Sequence, residues 1–382
     1  MHFDFRSFFR IVYLSFFHYK RAHSSMSLKR VFFLIGFFII FPMVQLFNAL
    51  CFLLDEIFYA GYRKIELEKP VFITGNPRSG TSFIHRQMTG DKRQFFFFKT
   101  WEIIFPAIIQ KKFLTFIGRI DRLFGNIFSS FLKRIEERIF QNFNRMHRLG
   151  LFYPEEDDKL LAHIFSCFDL VYFFPFFEVF DCHYRFDMAA KPNDQKRIMA
   201  FYANCVKRQA YFKGNKGHLL SKSPFFCSKI ESLFEYFPDA KIIYLIRSPL
   251  EVVPSMINMA HEIWKSTIGA DATYSIEDKT YEMARFFYEY PLSRLDQAPQ
   301  SSYILVNYMD LVSHPSKVIQ TIYRKFAYEV TSDVKKILDE QESNARSYRS
   351  SHFYSLDDFN ISREQIILDL DFVFQQFNFS TQ

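Results

Sequence analysis

A short apolar run that leads into a glycine-bounded loop most constrains the fold of this chain. Residues 71–75 read Val-Phe-Ile-Thr-Gly, Asn-Pro-Arg-Ser-Gly follows, and a helical pattern begins at Thr81. Gly75 and Gly80 have the spacing of a phosphate-binding loop. Such a loop directs backbone N–H groups and the positive end of a helix dipole at one point. The predicted anion-binding residues are Gly75, Asn76, Pro77, Arg78, Ser79, Gly80, Thr81 and Ser82.

The residue after Gly80 separates this loop from that of a nucleoside-triphosphatase. Those enzymes have a lysine there that reaches the β- and γ-phosphates, whereas this chain has Thr81. Arg78 instead offers a planar fork of donors that suits a phosphate or sulfate group. A P-loop nucleotide or sugar kinase therefore stays an alternative, with the missing lysine against it.

A second strand–helix junction has residues of the same chemical kind. Lys241–Ile246 is a continuous apolar run, as expected for a buried parallel strand, and it ends at Arg247. Ser248-Pro249 then starts a helix, with proline at a position that suits the first turn. Ser255 lies on the second turn of that helix.

These two segments together resemble the sulfotransferases that use 3′-phosphoadenosine 5′-phosphosulfate (PAPS). Pro77-Arg78-Ser79-Gly80-Thr81 is similar to their 5′-phosphosulfate loop, in the bacterial-type branch that has arginine where the cytosolic enzymes have lysine. The resemblance implies that Arg247 and Ser255 bind the 3′-phosphate. It also implies that Lys222, at the end of the His218–Lys222 run, lies near the transferred sulfuryl group.

The reaction implied is in-line transfer of a sulfuryl group from PAPS, as co-substrate, to a hydroxyl or amine, without a metal. Arg78 and Lys222 are the predicted catalytic cations, because charge develops on the bridging oxygen. Residues 237–241 and 302–314 extend the resemblance. The tail at 351–356, which Arg346 and Arg349 precede, also extends the resemblance.

The acceptor also needs a general base, and the sequence leaves several candidates. The cytosolic enzymes have a histidine two residues after the lysine, but Pro224 stands at that position here. Glu102 follows the loop at an interval similar to the catalytic glutamate of tyrosylprotein-type enzymes and is the preferred base, with a surface or helix-capping role as the alternative. Glu155 and Glu156, with His147 upstream, resemble a segment on the acceptor side; acids at a helix start are the alternative there.

The order of the predicted elements indicates an α/β fold. Strands near 71–74, 218–222, 241–246 and 303–307 alternate with helical patterns, which predicts a three-layer, P-loop-type parallel sheet flanked by helices. Residues 63–382 are predicted to form the sulfotransferase domain. Within it, residues 85–215 form a long, mostly helical insertion on the acceptor side.

Residues 1–62 form a basic and hydrophobic region that is predicted to associate with a membrane. Val31–Leu54 has no charged residue and is long enough to cross a bilayer. Pro42, Gln45 and Asn48 also permit an interfacial segment, and a helix packed on the domain is a further alternative. The expected location is the cytoplasmic face of a bacterial inner membrane, or a single-pass Golgi position in a eukaryote.

The composition limits the classes of partner that this chain is expected to bind. The net charge is +7, which suits an anionic nucleotide or lipid surface but lacks the clustered basicity of a nucleic-acid binder. The five cysteines are scattered and give no metal-site spacing. The expected acceptor is a small molecule, lipid or glycan. A catalytically silent, membrane-associated binding protein of the same fold is the alternative from another functional class.

Overall fold

The computed structural model describes residues 2–22, 26–140, 150–269, 276–345 and 359–381. A five-stranded parallel sheet forms its centre. The strands are β1 (Val71–Gly75), β2 (Phe95–Phe96), β3 (His218–Lys222), β4 (Lys241–Ile246) and β5 (Tyr303–Asn307), in the spatial order β2-β3-β1-β4-β5. The predicted α/β fold with a parallel sheet is confirmed.

Helices fill most of the remaining chain. They are α1 (Phe5–Phe17), α2 (Leu28–Phe58), α3 (Thr81–Met88), α4 (Thr100–Ile104), α5 (Ile108–Leu123), α6 (Ile127–Phe140), α7 (Phe177–Tyr184), α8 (Phe186–Ala189), α9 (Pro192–Phe212), α10 (Ile230–Tyr236), α11 (Pro249–Thr267), α12 (Ile276–Asp296), α13 (Tyr308–Ser313), α14 (Pro315–Phe326), α15 (Ser332–Ala345), α16 (Arg363–Asp369) and α17 (Asp371–Phe377). Short 3₁₀ helices include Asp157–Ile164 and Pro224–Lys229.

The sheet is covered on both faces because alternate strand residues point to opposite sides. In β4, Ile242 and Tyr244 join the larger apolar cluster, which includes residues of α9 to α12. Ile243 and Leu245 join a second cluster with residues of α3, α14 and α15. This is the predicted three-layer arrangement.

Four of the strands lie where the sequence predicts them, and β2 was missed. Phe95–Phe96 is only two residues long and lies in a run of four phenylalanines, in a chain that has 52 of them. A run of two residues is too short to show the alternation of apolar and polar positions that indicates a strand. Its pairing with the start of β3 makes it a strand.

The N-terminal helices share the core of the sheet domain. Phe8 of α1 and Leu34 and Phe52 of α2 belong to the larger apolar cluster. α2 is continuous through Pro42, and its Gln45 and Asn48 are buried. Within the described residues, α2 is the helix that is long and apolar enough to cross a membrane.

We expect Gly75→Ala to destabilise the fold. Gly75 has φ +146°, and an added Cβ would lie 2.5 Å from the carbonyl oxygen of Leu245 on the neighbouring strand. Strained backbone of this kind costs about 1–3 kcal/mol, so thermal unfolding should show a melting temperature lowered by several degrees. Gly36→Ala in α2 is the control, since nothing lies within 4 Å of its added Cβ. Equal melting temperatures for the two variants would contradict this reading.

Candidate functional site

The ends of β1 and β4 bring the two predicted anion sites into contact. The strands pair in parallel, with Gly75 opposite Leu245, so both chains leave the sheet at the same edge. Nη1 of Arg247 donates a hydrogen bond to the backbone oxygen of Arg78 over 2.9 Å. Nε of Arg78 donates to Oγ of Ser255 over 3.0 Å. We call residues 75–82 the loop cradle, and Arg247 with Ser255 the second cradle.

The loop cradle has the geometry of an anion site. Arg78 and Gly80 have positive φ angles of 71° and 92°, which turn the chain tightly before α3 begins at Thr81. The first N–H groups of a helix have no partner inside it. The Oγ of Ser79 and the Oδ1 of Asn76 are buried and lack a protein partner in the described structure. Buried polar atoms are normally hydrogen-bonded, and the Ser79 hydroxyl can donate to a bound anionic group, whereas the Asn76 oxygen can only accept.

Two tyrosines support the second cradle and were not predicted from the sequence. The guanidinium of Arg247 lies 4.2 Å from the ring centroid of Tyr308, and the hydroxyl of Tyr288 donates to the Arg247 backbone oxygen over 2.6 Å. A Cβ on Gly80 would lie 2.9 Å from the Tyr308 ring, which explains the glycine there. Tyr308 directly follows β5, and its position at the same edge of the sheet was the signal available.

Lys222 reaches the loop cradle from the other side of β1. It ends β3, opposite Ile73 in the parallel pairing. Its Nζ lies 3.2 Å from Oγ of Ser82 and 2.6 Å from Oε1 of Glu156, and the side chain is buried. A cation at this position can neutralise charge on a group bound at the start of α3.

A second lysine joins the two acceptor-side glutamates. Nζ of Lys159 lies 2.9 Å from Oε1 of Glu155 and 3.7 Å from Oε2 of Glu156. Burial, the largest single cause, would raise the pKa of Glu155, but the charges of Lys159 and Lys222 and a backbone hydrogen bond together hold that pKa below its ordinary value. Glu155 and Glu156 thus form one charged row with Lys222. His147, the third predicted acceptor-side residue, lies outside the described residues, as do Arg346, Arg349 and the tail at 351–356.

The structure places Glu102 outside this row. Its carboxylate is 1% exposed and accepts hydrogen bonds from the backbone N–H of Lys99, over 2.8 Å, and Nε2 of Gln209, over 2.9 Å. Nζ of Lys213 pairs with its other oxygen over 2.6 Å. The contacts described for Glu102 therefore match the helix-capping alternative, because they fix the first turn of α4 and join no residue of either cradle.

His85 lies on α3 behind the loop cradle, where it is buried. Burial and the charge of Lys222 lower the pKa of His85 to about 3, so the ring is neutral near pH 7. Its Nε2 is buried without a described partner. The ring is therefore a neutral, packed group behind the loop cradle.

Buried acids stand behind the charged row. Asp157 accepts hydrogen bonds from the hydroxyls of Tyr202, over 2.6 Å, and Ser221, over 2.7 Å. Burial raises the pKa of Asp157 to about 7 and that of Asp158 to about 6. Ligand atoms of Asp158, Cys167 and Asp169 lie within 4.8 Å of one another. Burial raises the pKa of all three groups, which disfavours the ionised forms that bind a cation.

We expect Asp157→Asn to change how stability depends on pH. The folded-state pKa of Asp157 lies above its ordinary value of 3.8. The protonated Asp157 therefore contributes its full stabilisation below about pH 3.8, the ordinary pKa. That stabilisation is lost as pH rises through about 7, the folded-state pKa. The melting temperature of Asp157→Asn, relative to the unmodified protein, should increase by several degrees between about pH 5 and pH 8.

The exposed Asp296, changed to asparagine, is the control for this pH series, and its curve should run parallel to that of the unmodified protein. A parallel curve for Asp157→Asn as well would contradict the assignment.

The comparisons with known proteins identify the family and the fold of this chain. The model of the Sulfotransferase family matches residues 132–332. Omega-hydroxy-beta-dihydromenaquinone-9 sulfotransferase Stf3 of Mycobacterium bovis is 26% identical over 122 residues, which are 31% of this chain and 30% of the relative. The matched region thus spans about a third of that relative's length.

Two solved structures have the same fold. Sulfotransferase STF9 from Mycobacterium avium superposes with a TM-score of 0.70 at 15% identity, covering 86% of this chain and 82% of its own. Sulfotransferase STF1 from Mycobacterium tuberculosis gives 0.69 at 15% identity, covering 96% and 91%. Since the family match extends over more than half of the residues, the chain belongs to the sulfotransferase family.

Proposed function

We propose that this chain transfers a sulfuryl group from PAPS to a hydroxyl group of a lipid-like small molecule. The observation that carries the proposal is the direct contact between the two cradles, through Arg78, Arg247 and Ser255. Two anion sites so close together suit one nucleotide with a phosphate at each end of its ribose. A kinase would need the lysine that Thr81 replaces.

In this proposal each end of PAPS has its own set of donors. The loop cradle binds the 5′-phosphosulfate through the N–H groups at the start of α3 and the polar side chains of Asn76, Ser79, Thr81 and Ser82. Arg247 and Ser255 bind the 3′-phosphate, and Tyr308 holds the guanidinium plane of Arg247. Arg78 contacts both cradles, so it orients the nucleotide as well as neutralising it.

Lys222 and Arg78 are the proposed catalytic cations. Sulfuryl transfer breaks the bond between sulfur and the bridging oxygen, and negative charge then collects on the leaving phosphate. Lys222 already contacts Ser82 of the loop cradle, so it lies where that charge appears. Unlike arginine, lysine can also give a proton to the leaving oxygen.

We assign the general base to Glu156 in preference to Glu102. Glu156 contacts Lys222 directly, whereas the described partners of Glu102 belong to the helix cap and to α9. A carboxylate beside the catalytic lysine is within reach of an acceptor hydroxyl that attacks the sulfuryl group. The proton passes from the hydroxyl to the Glu156 carboxylate as the new sulfur–oxygen bond forms.

The acceptor class follows from the relatives and from the apolar surface. Stf3 is named for a hydroxylated menaquinone, which is a lipid. Exposed apolar side chains lie on three neighbouring helices of this chain: Phe5, Phe9 and Phe17 of α1; Ile39, Met43, Leu46, Phe47 and Leu50 of α2; Phe113, Phe116 and Ile120 of α5. Exposed apolar patches of this kind mark membrane or partner contacts.

We further propose that α2 lies along the membrane surface rather than across it. Its buried polar residues bind the domain: Arg30 donates to the Phe173 backbone oxygen, and Asp55 accepts from the N–H groups of Ile108 and Ile109. Arg30 and Asp55 are separated by roughly 38 Å of helix at 1.5 Å per residue. A helix held to a domain over that length presents only its outer face to lipid. The cytoplasmic face of a bacterial membrane, where PAPS is expected, is the proposed location.

The function is tested with sulfate-labelled PAPS and a panel of lipid, glycan and peptide acceptors. We expect a labelled hydroxylated lipid, and stabilisation of the protein by 3′-phosphoadenosine 5′-phosphate that is lost in Arg247→Ala. Arg294→Ala is the matched control, because that arginine pairs with Glu231 away from both cradles. Magnesium-dependent transfer from ATP, with no labelled product from PAPS, would replace the proposal with the kinase.

The variants Glu156→Gln and Glu102→Gln test which of the two glutamates is the general base. Glu156→Gln should lower kcat by about 10²–10⁴-fold, because the proton acceptor is lost. Glu102→Gln should keep kcat within about tenfold and lower the melting temperature instead, because it weakens the cap and the pairing with Lys213. The reverse pattern, with kcat lost in Glu102→Gln alone, would return the base to Glu102.

Membrane binding is tested by flotation with vesicles that contain phosphatidylglycerol. Changing Ile39, Met43 and Phe47 together to serine should shift most of the protein from the vesicle fraction to the soluble fraction. Serine at Met188, Met309 and Leu368, which are exposed apolar residues on other elements, should leave binding unchanged. Equal loss in both triple variants would contradict an interface centred on α2.

A further inference from the structure

We propose that a cavity beneath α2 binds the hydrocarbon chain of the acceptor, which enters sideways from the membrane with its hydroxyl group directed at Glu156 and Lys222. The inference rests on the proposed function and adds where the lipid binds and from which side it arrives. Its occupant is an amphiphilic alcohol with a single long apolar chain.

The cavity has a volume of about 340 Å³ and lies between α2, α4 and the 3₁₀ helix Asp157–Ile164. Most of its exposed wall is apolar and comes from Val44, Ile103, Ile104 and Ala162, and the lining is completed by Thr100, Gly150, Glu155, Lys159 and His163. That volume is in the range of small-molecule sites, about 300–1,000 Å³. Walls of this kind offer few partners to a sugar or peptide, whose polar groups would lose hydrogen bonds to water.

His163 makes one wall rigid without making it charged. Nε2–H donates to the Ile103 backbone oxygen over 2.7 Å, and Nδ1 accepts from Nδ2 of Asn48 on α2 over 3.3 Å. Burial lowers the pKa of His163, so the ring is neutral. The imidazole is thus held by α2 and α4 and presents its apolar surface to the cavity.

The inner end of the cavity leads to the reaction site. Glu155 and Lys159 line it, and Lys159 also approaches Glu156 at 3.7 Å. Glu156 in turn contacts Lys222, which contacts Ser82 of the loop cradle. Polar side chains therefore run without a break from the cavity to Ser82 of the loop cradle. A hydroxyl at the end of an apolar chain meets its first polar partners at this point.

The outer end of the cavity opens beside the apolar face of α2. Val44 is half-buried, and Ile104 is 38% exposed. On either side of Val44 along α2, Met43 is 66% exposed and Phe47 is 51% exposed. A lipid chain that leaves the bilayer next to these residues would enter the cavity without crossing water.

Photolabelling tests the site in the full-length protein. The probe is a long-chain primary alcohol with a diazirine on its chain, supplied in phosphatidylglycerol vesicles with 3′-phosphoadenosine 5′-phosphate. We expect the label on residues 103–104 and 155–163. Val44→Phe and Ala162→Leu, which fill the cavity, should each lower that labelling by about tenfold. Met188→Phe places the same side chain at an exposed position on α8, outside the membrane-binding surface, and is the matched control.

Kinetics with PAPS give an independent readout. Val44→Phe should raise the KM for a long-chain alcohol by about tenfold and leave kcat/KM for a short, water-soluble alcohol unchanged. Stabilisation by 3′-phosphoadenosine 5′-phosphate should persist in every variant, which excludes misfolding as the cause.

The outcomes separate the two proposals. Labelling confined to the exposed face of α2, or labelling unaffected by both cavity-filling variants, would overturn the lipid site. Labelling in the cavity that both variants abolish would support the lipid site. If the unmodified protein were labelled in the cavity but sulfated no acceptor, the proposed reaction would fail and the lipid site would stand.

Discussion

The parallel pairing of β1 with β4 is the constraint on which the rest of the site depends. Gly75 packs so closely on the Leu245 carbonyl that no side chain fits between the strands. The loop after β1 and the helix after β4 consequently start side by side, and Arg247 donates to the backbone of Arg78. Each cradle alone could hold any phosphate. Their contact is what suits them to a nucleotide that is phosphorylated at two positions.

On the opposite side of β1, one row of charged residues connects the loop cradle with the cavity beneath α2. β3 brings Lys222 to the start of α3, and the glutamates before the 3₁₀ helix Asp157–Ile164 continue from Lys222 toward α2. Asp55 ties the end of α2 to the first turn of α5 and to Arg208, at 3.1 Å from its Nε. α2, with its exposed apolar side chains, is therefore anchored to the same domain as the proposed catalytic residues. Such a connection favours an acceptor that is delivered from a lipid surface.

The sequence predicted the parts of the fold and site that depend on local pattern. The strand–loop–helix at 71–88 and the strand ending at Arg247 were visible because glycine spacing and continuous apolar runs have direct structural causes. The role of Glu102 was ambiguous, since capping and catalysis use the same carboxylate at similar intervals. Its contacts with Gln209 and Lys213, which lie more than a hundred positions away, could not be predicted from local pattern. Tyr308 was missed because its contact with Arg247 depends on the order of strands in the sheet.

Calorimetric titration of the unmodified protein tests the central claim most directly, by comparing 3′-phosphoadenosine 5′-phosphate with adenosine 5′-monophosphate. The two nucleotides differ only in the 3′-phosphate, which Arg247 and Ser255 are proposed to bind. Charge-assisted hydrogen bonds from such a pair predict that the bisphosphate binds about 100-fold more tightly. Equal affinities for the two nucleotides would contradict the account, because the second cradle would then have no ligand.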